Sequence, residues 1–147
     1  PGDIDYNAWD THTLNFKLLR ELNLPVFDQA YSALMEDLDR TGLLDETLVV
    51  VMGEMGRTPK VNSKAGRDHW THCYSVLFSG AGIRGGTVCG SSDARAAFPA
   101  SNPVTPADIV STIYRCLGIN PETPVYEPNG RPVPVRHGGQ PIEELLA

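Results

Sequence analysis

The sequence predicts an α/β fold, a partial three-layer sandwich built around a mostly parallel sheet. Three observations carry that expectation. Residues 25–41 hold a helical apolar stripe, residues 47–52 follow at once as a continuous β-branched and apolar run, and residues 74–79 repeat such a run. Strands covered on both faces read as unbroken apolar runs rather than alternating ones, which is the signature of parallel sheets. A helix, a short loop and a buried strand in that order form half of a right-handed crossover unit.

The first element is a short strand over residues 5–9, leading into Asp10-Thr11-His12. The helix over residues 25–41 takes its inner face from Val26, Phe27, Ala30, Leu34 and Leu38, three and four residues apart. Pro25 suits its first turn and Gly42 its C-terminal end. The two apolar runs are expected as neighbouring, parallel strands. Between them, residues 53–73 form a long loop rich in Gly, Arg, Lys and His, and long loops in compact domains are commonly functional. Residues 80–86 are turn-rich. Thr105-Pro106-Ala107-Asp108 opens another helix with a capping-box-like pair. Ile109, Ile113, Cys116 and Leu117 give that helix its inner face, and Gly118 closes it. Residues 120–140 read as an irregular Pro/Gly wrap, and a last short helix starts near Pro141 with Ile142, Leu145 and Leu146 inward.

Composition bounds the function. With 41% hydrophobic and 20% charged residues over 147 positions, the chain has the size and make-up of one globular domain. No apolar run approaches the roughly 20 residues that cross a bilayer. A net charge of -6 and a pI near 5.1, with scattered Lys and Arg, argue against nucleic acid as the main partner. Cys73, Cys89 and Cys116 share no short spacing, so neither a zinc knuckle nor a dithiol motif is present and the thiols read as small buried hydrophobes. The chain starts at Pro1 without a signal-peptide pattern, and is read as a piece of something longer.

Candidate chemistry falls in three places. Asp10 and His12, two apart on a strand end, point to one face and supply half of a divalent-metal site; a helix cap with a surface histidine is the competing reading. Glu54 directly follows a buried strand, flanked by Gly53 and Gly56, where open parallel sheets bind ligands; it also reads as the first solvated residue beyond the strand. Arg57 and Arg67 are candidates for neutralising an anionic substrate with a guanidinium fork, or for ordinary salt bridges. Residues 66–72, Gly-Arg-Asp-His-Trp-Thr-His, add Asp68, His69 and His72. Adjacent residues in extended chain point opposite ways, so His69 is favoured as ligand, with Asp68 a second ligand or an outer residue that orients an imidazole. His72 is ligand, proton carrier or surface residue, and His137 is assigned a solvent-exposed role. Asp, Glu and His ligands suit Zn²⁺ or Mn²⁺, and Ca²⁺ or Mg²⁺ where oxygens dominate.

Three strings then carry a resemblance: Trp9-Asp10-Thr11-His12, the strand followed by Gly-Glu-Met-Gly-Arg-Thr-Pro at 53–59, and Gly-Arg-Asp-His-Trp at 66–70. They resemble the C-terminal half of a large uncharacterised bacterial family, domain of unknown function number fifteen-zero-one, from about Trp9 to the C-terminus. That family is similar to the alkaline phosphatase and sulfatase superfamily, which is also echoed in the turn at 80–86 and the segment 105–113. The resemblance implies that residues 1–147 are the C-terminal part of a larger alkaline phosphatase-like domain. It further implies that Asp10, His12 and His69 match superfamily ligands, and that Glu54 stands at the Asp of an Asp-His pair whose His is replaced by Met55. The nucleophile would lie in an N-terminal half, and no Cys-x-Pro-x-Arg signature surrounds any cysteine. Thr58, the hydroxyl beside the ligand loop, precedes Pro59 and has no evident base.

The implied activity is metal-dependent hydrolysis of phosphate or sulfate esters, on a small-molecule or carbohydrate substrate. The alternative is a non-catalytic module with a degenerate site that keeps a metal or grips an anion or carbohydrate. Either way a half-domain leaves apolar surface for a missing segment or for self-association, and the resemblance implies a periplasmic or exported protein.

Overall fold

The computed structural model describes residues 9–135 and 138–147. Helical backbone begins earlier than the apolar stripe indicated. Helix α1, Asn15–Leu18, runs through a π turn, Leu19–Asn23, into helix α2, Leu24–Thr41. Pro25 stands in the first turn of α2, as expected, but the π turn runs straight into it. Proline has no N–H to give and crowds the preceding turn, and a widened turn just before it relieves both problems. Gly42 ends α2 at φ 74°, its amide bonded to the Asp39 carbonyl, a left-handed position that glycine occupies without strain.

The inner face of α2 keeps Phe27 and Leu38 from the expected stripe and exchanges the rest. Phe27, Tyr31, Met35 and Leu38 are half-buried, whereas Ala30 and Leu34 are exposed and Val26 is 68% exposed. Phe27 stacks on Tyr31 with ring centroids 5.5 Å apart and meets Trp9 edge-on at 6.1 Å. The Tyr31 hydroxyl lies 2.6 Å from Ser79 Oγ, tying the helix to the sheet.

Strand β1, Leu48–Val51, is followed by the short strands β2, Gly56–Arg57, and β3, His69–Trp70, and then by β4, Leu77–Gly80. The two apolar runs are neighbours, as expected, but they pair antiparallel, with Val49 opposite Ser79 and Val50 opposite Phe78. The reason lies between them. Parallel neighbours need a crossover of a dozen or more residues, usually a helix, and residues 52–76 instead fold back as the β2–β3 pair. Both strands of β1–β4 are half-buried at most positions, and among the described residues the sheets are two-stranded. The described chain is thus mixed α/β with antiparallel strand pairs.

Beyond the turn at 80–86, β5, Ser91–Ser92, pairs with β6, Pro99–Ser101. Helix α3, Pro106–Cys116, carries the expected capping box. Its most buried residues are Ile109, Ser111 and Thr112, while Leu117 is 60% exposed, because the packed face is the one that receives the C-terminal segment. The Ile142 amide bonds Thr112 Oγ1 at 2.9 Å and the Gln140 amide bonds Asp108 Oδ1 at 2.8 Å. Part of the Pro/Gly wrap is ordered as a hairpin, β7, Pro124–Tyr126, with β8, Pro132–Pro134. Its turn carries Asn129-Gly130, a strong hairpin dipeptide, with Gly130 at φ 82°. A 3₁₀ turn, Glu143–Leu145, stands where the last helix was expected.

Leu18 and Ile109 are the buried hydrophobic residues among those described. No described helix is long and apolar enough to cross a membrane.

Candidate metal centre

Two segments distant in sequence meet at the candidate site. Residues 58–68 form a loop that folds over residues 10–15, and backbone bonds join them: Leu14 N to Lys64 O at 3.0 Å, Asn15 N to Ala65 O at 2.9 Å and Arg67 N to Thr11 O at 3.3 Å. Gly66 is buried at the closest approach, where a Cβ would stand 1.8 Å from the His12 carbonyl oxygen. Glycine is what permits this backbone contact. Below it, Asn15 Nδ2 donates to Thr11 Oγ1 at 2.6 Å, both residues buried.

The β2–β3 pair sets the other wall. Arg57 stands opposite His69 in the ladder, so both side chains rise on one face. There His69 meets His12 and Asp10. His69 Nε2 lies 2.9 Å from Asp10 Oδ1, His12 Nε2 lies 3.1 Å from the same oxygen, and the two imidazole nitrogens are 3.2 Å apart. Among the described residues these three form the one group of potential ligands whose atoms come together. Their side chains are roughly half-exposed, so the triangle is open to solvent on one side.

Charged neighbours set the state of the two carboxylates. The His69 imidazole and the Arg57 guanidinium hold the Asp10 carboxyl at about 2, against its partial burial. Arg57 donates to Asp10 Oδ1 at 2.5 Å and to the Trp9 carbonyl at 3.1 Å, and its other terminal nitrogen reaches the Arg67 carbonyl at 3.3 Å. Arg67 donates to the Thr58 and Arg57 carbonyls at 2.6 and 3.1 Å. Both guanidiniums, singled out as anion contacts, are thus engaged with protein acceptors that brace the loop.

Behind His12, Nδ1 lies 2.8 Å from Asp68 Oδ1, and that bond holds the Asp68 carboxyl below its ordinary range. An ionised carboxylate has no proton to give, so Nδ1 bears the hydrogen. In the neutral ring Nε2 then presents a lone pair, and it faces Asp10 Oδ1. That 3.1 Å contact is favourable with either a proton or a metal ion between the two atoms.

The donor set passes a simple size test. Ligands at about 2.0–2.1 Å from a tetrahedral ion lie about 3.3 Å from one another, and the observed edges of 2.9 to 3.2 Å need only a slight outward adjustment. Glu54 is exposed in the bend after β1 and lies outside the group. His72 packs against Trp70 and Phe98, with centroids at 4.8 and 5.1 Å, in an aromatic cluster apart from the triangle. His137 lies outside the described residues, as does most of the expected strand at 5–9; Trp9 itself is in a turn. Thr58 Oγ1 accepts from the Asp68 amide and donates to the Lys60 carbonyl, a clip within the loop. All three cysteines are free and half-buried, and burial pushes the Cys116 thiol up.

One residue at the site is not among the expected ones, Asn62. Its Nδ2 donates to the His12 carbonyl at 3.0 Å and to Asp68 Oδ1 at 3.2 Å, while its Oδ1 accepts from the Lys64 and Gly66 amides. The one available cue was Asn62-Ser63 ahead of a Gly, a turn-forming composition.

A family model described as "Protein of unknown function (DUF1501)" matches residues 3–146. The chain belongs to the DUF1501 family. No curated protein and no solved structure matches it. The DUF1501 match spans both segments that build the triangle, the one at residues 10–12 and the one at 57–69.

Proposed function

We propose that this DUF1501 chain supplies the metal-binding part of a hydrolase of phosphate or sulfate esters, on a branch of the alkaline phosphatase and sulfatase superfamily. The observation that carries the reading is the convergence of Asp10 Oδ1, His12 Nε2 and His69 Nε2 within 3.2 Å of one another. Two imidazoles and one carboxylate favour Zn²⁺ or Mn²⁺ over Ca²⁺ and Mg²⁺, which prefer all-oxygen shells. Three protein donors with an open side match catalytic rather than closed structural zinc sites. When bound, such an ion supplies Lewis-acid polarisation of an ester oxygen.

The chain's own residues prepare that task. Arg57 keeps Asp10 ionised and fixed in direction. His12 and His69 turn their Nε2 atoms to one point. Arg57 and Arg67 serve in this reading as braces for the ligand loop. The three-layer sandwich is completed, in the same reading, by a further segment or a second copy that covers the exposed Leu24, Val26 and Leu34.

A second reading is favoured by Met55, which follows Glu54 where a pairing His would extend the site, and by the inward engagement of both arginines. It is a non-catalytic module that holds a metal, an anion or a carbohydrate. Elemental analysis after exposure to Zn²⁺, Mn²⁺, Fe²⁺ and Ca²⁺ tests the metal first. One equivalent retained by the native chain and lost in Asp10→Ala, His12→Ala and His69→Ala supports the centre, and no retention of any ion overturns it. Turnover of an aryl phosphate or aryl sulfate that disappears in the same variants supports the hydrolase. Metal retention without turnover across ester classes supports the second reading.

A further inference from the structure

We propose that Asp68 is a positioning residue for the metal centre and not a ligand, and that Asn62 is the residue that holds it in place. This rests on the metal reading above. Asp68 meets His12 at Nδ1, the nitrogen turned away from the triangle, and it is absent from the group of converging ligand atoms. A carboxylate behind a ligand imidazole fixes its tautomer, orients the ring and makes its other nitrogen a better donor.

The position of Asp68 is fixed from several sides. Its amide donates to Thr58 Oγ1 at 3.1 Å, and its carbonyl accepts from the Thr58 amide at 2.8 Å. The Asn62 amide group joins the two parts that must stay in register. One nitrogen bonds both the backbone of His12 and the carboxylate that orients the His12 ring. Meanwhile Asn62 Oδ1 gathers the Lys64 and Gly66 amides, which shapes the loop at its contact with His12. Asn62 therefore couples loop shape to ligand direction. Neither Asp nor Leu, its near-isosteres, can replace it, because the site needs donor and acceptor on one planar group.

The test combines metal affinity with two spectroscopic signatures that a merely structural role would not move. Nitrogen-detected NMR of the metal-free native chain at alkaline pH should show His12 with hydrogen on Nδ1; hydrogen on Nε2 overturns the proposal without any variant. Asp68→Ala and Asn62→Ala, each checked for a native circular-dichroism spectrum, should bind Co²⁺ about 10–100-fold more weakly. The visible Co²⁺ bands at saturation should keep the native intensity, since the number of protein ligands is unchanged. A shifted or weakened band in Asp68→Ala identifies Asp68 as a ligand and overturns the assignment. Native affinity in both variants overturns it as well, while leaving the metal centre standing. If the native chain itself binds neither Co²⁺ nor Zn²⁺, the metal reading fails and this inference with it.

Discussion

Gly66→Ala should disable the site without altering any ligand side chain. The added methyl would sit 1.8 Å from the His12 carbonyl oxygen, 2.1 Å from its carbon and 2.6 Å from the Thr13 nitrogen. All three are backbone atoms, so no rotamer change relieves the clash. Restoring ordinary van der Waals contact opens the gap between the loop and residues 12–13 by about 1.6 Å. Overpacking of this kind costs about 1–3 kcal/mol. Metal–ligand distances tolerate only about 0.2 Å, so a shift of that size should remove His12 from the triangle and weaken metal affinity more than tenfold. Gly53→Ala is the matched control. Its nearest neighbour would be the Met55 carbonyl oxygen at 3.7 Å, an ordinary contact, and its cost should stay within about 0.5 kcal/mol. Urea unfolding reports the stability term and calorimetric titration with Zn²⁺ the affinity term. A Gly66→Ala protein with native stability and native affinity would refute the close packing of the loop on the His12 backbone.

Other outcomes follow from the same contacts. Arg57→Lys, which cannot span Asp10, the Trp9 carbonyl and the Arg67 carbonyl together, should cost about 1–3 kcal/mol in denaturant melts. Thr105→Ala should cost about 1 kcal/mol through loss of the α3 cap, whose side chain accepts from the Asp108 amide. For Asp108, burial raises the carboxyl, but the Gln140 amide and the Thr105 amide and hydroxyl outweigh it and leave it lowered. A lowered folded value means that its stabilisation is present above the ordinary value of 3.8 and fades as pH falls through the folded one. Asp108→Asn should therefore flatten the acid limb of the stability profile, and an unchanged limb speaks against the assignment. Saturating metal at about 100 times its Kd should raise native stability by about 2.7 kcal/mol, an increment that a thermal scan should find missing in His69→Ala.

What was legible in the sequence was local. The α2 and α3 helices, the cap at Thr105, the Gly42 end and the two apolar runs are each set by spacing or by turn chemistry within a few residues. Strand direction was not legible. Leu48–Val51 and Leu77–Gly80 read alike whether paired parallel or antiparallel, and the intervening β2–β3 pair is too short to leave a period. On α2, Phe27 and Leu38 of the expected stripe are half-buried, but Val26, Ala30 and Leu34 recur as regularly as Tyr31 and Met35, and only packing chooses between them. At the site, Asp10, His12 and His69 are legible in the sequence and do converge. Glu54, expected from its place just beyond a buried strand and from the resemblance, lies apart from the group. Asn62 was invisible because its task is to bridge two backbones and a carboxylate, a role that depends on tertiary closeness and not on any string of neighbours.

His12 and His69 are separated by 57 positions along the chain. Joining the ends of a loop that long costs roughly 4 kcal/mol of chain entropy before any ion arrives. Here the charge is met beforehand, by the Leu14–Lys64 and Asn15–Ala65 backbone bonds and by Asn62. On the proposed metal reading, an ion entering the triangle would find its donors already assembled. Capture should accordingly be fast, its rate nearly independent of global unfolding, and released metal should leave behind a cradle that closes again on the next ion without refolding.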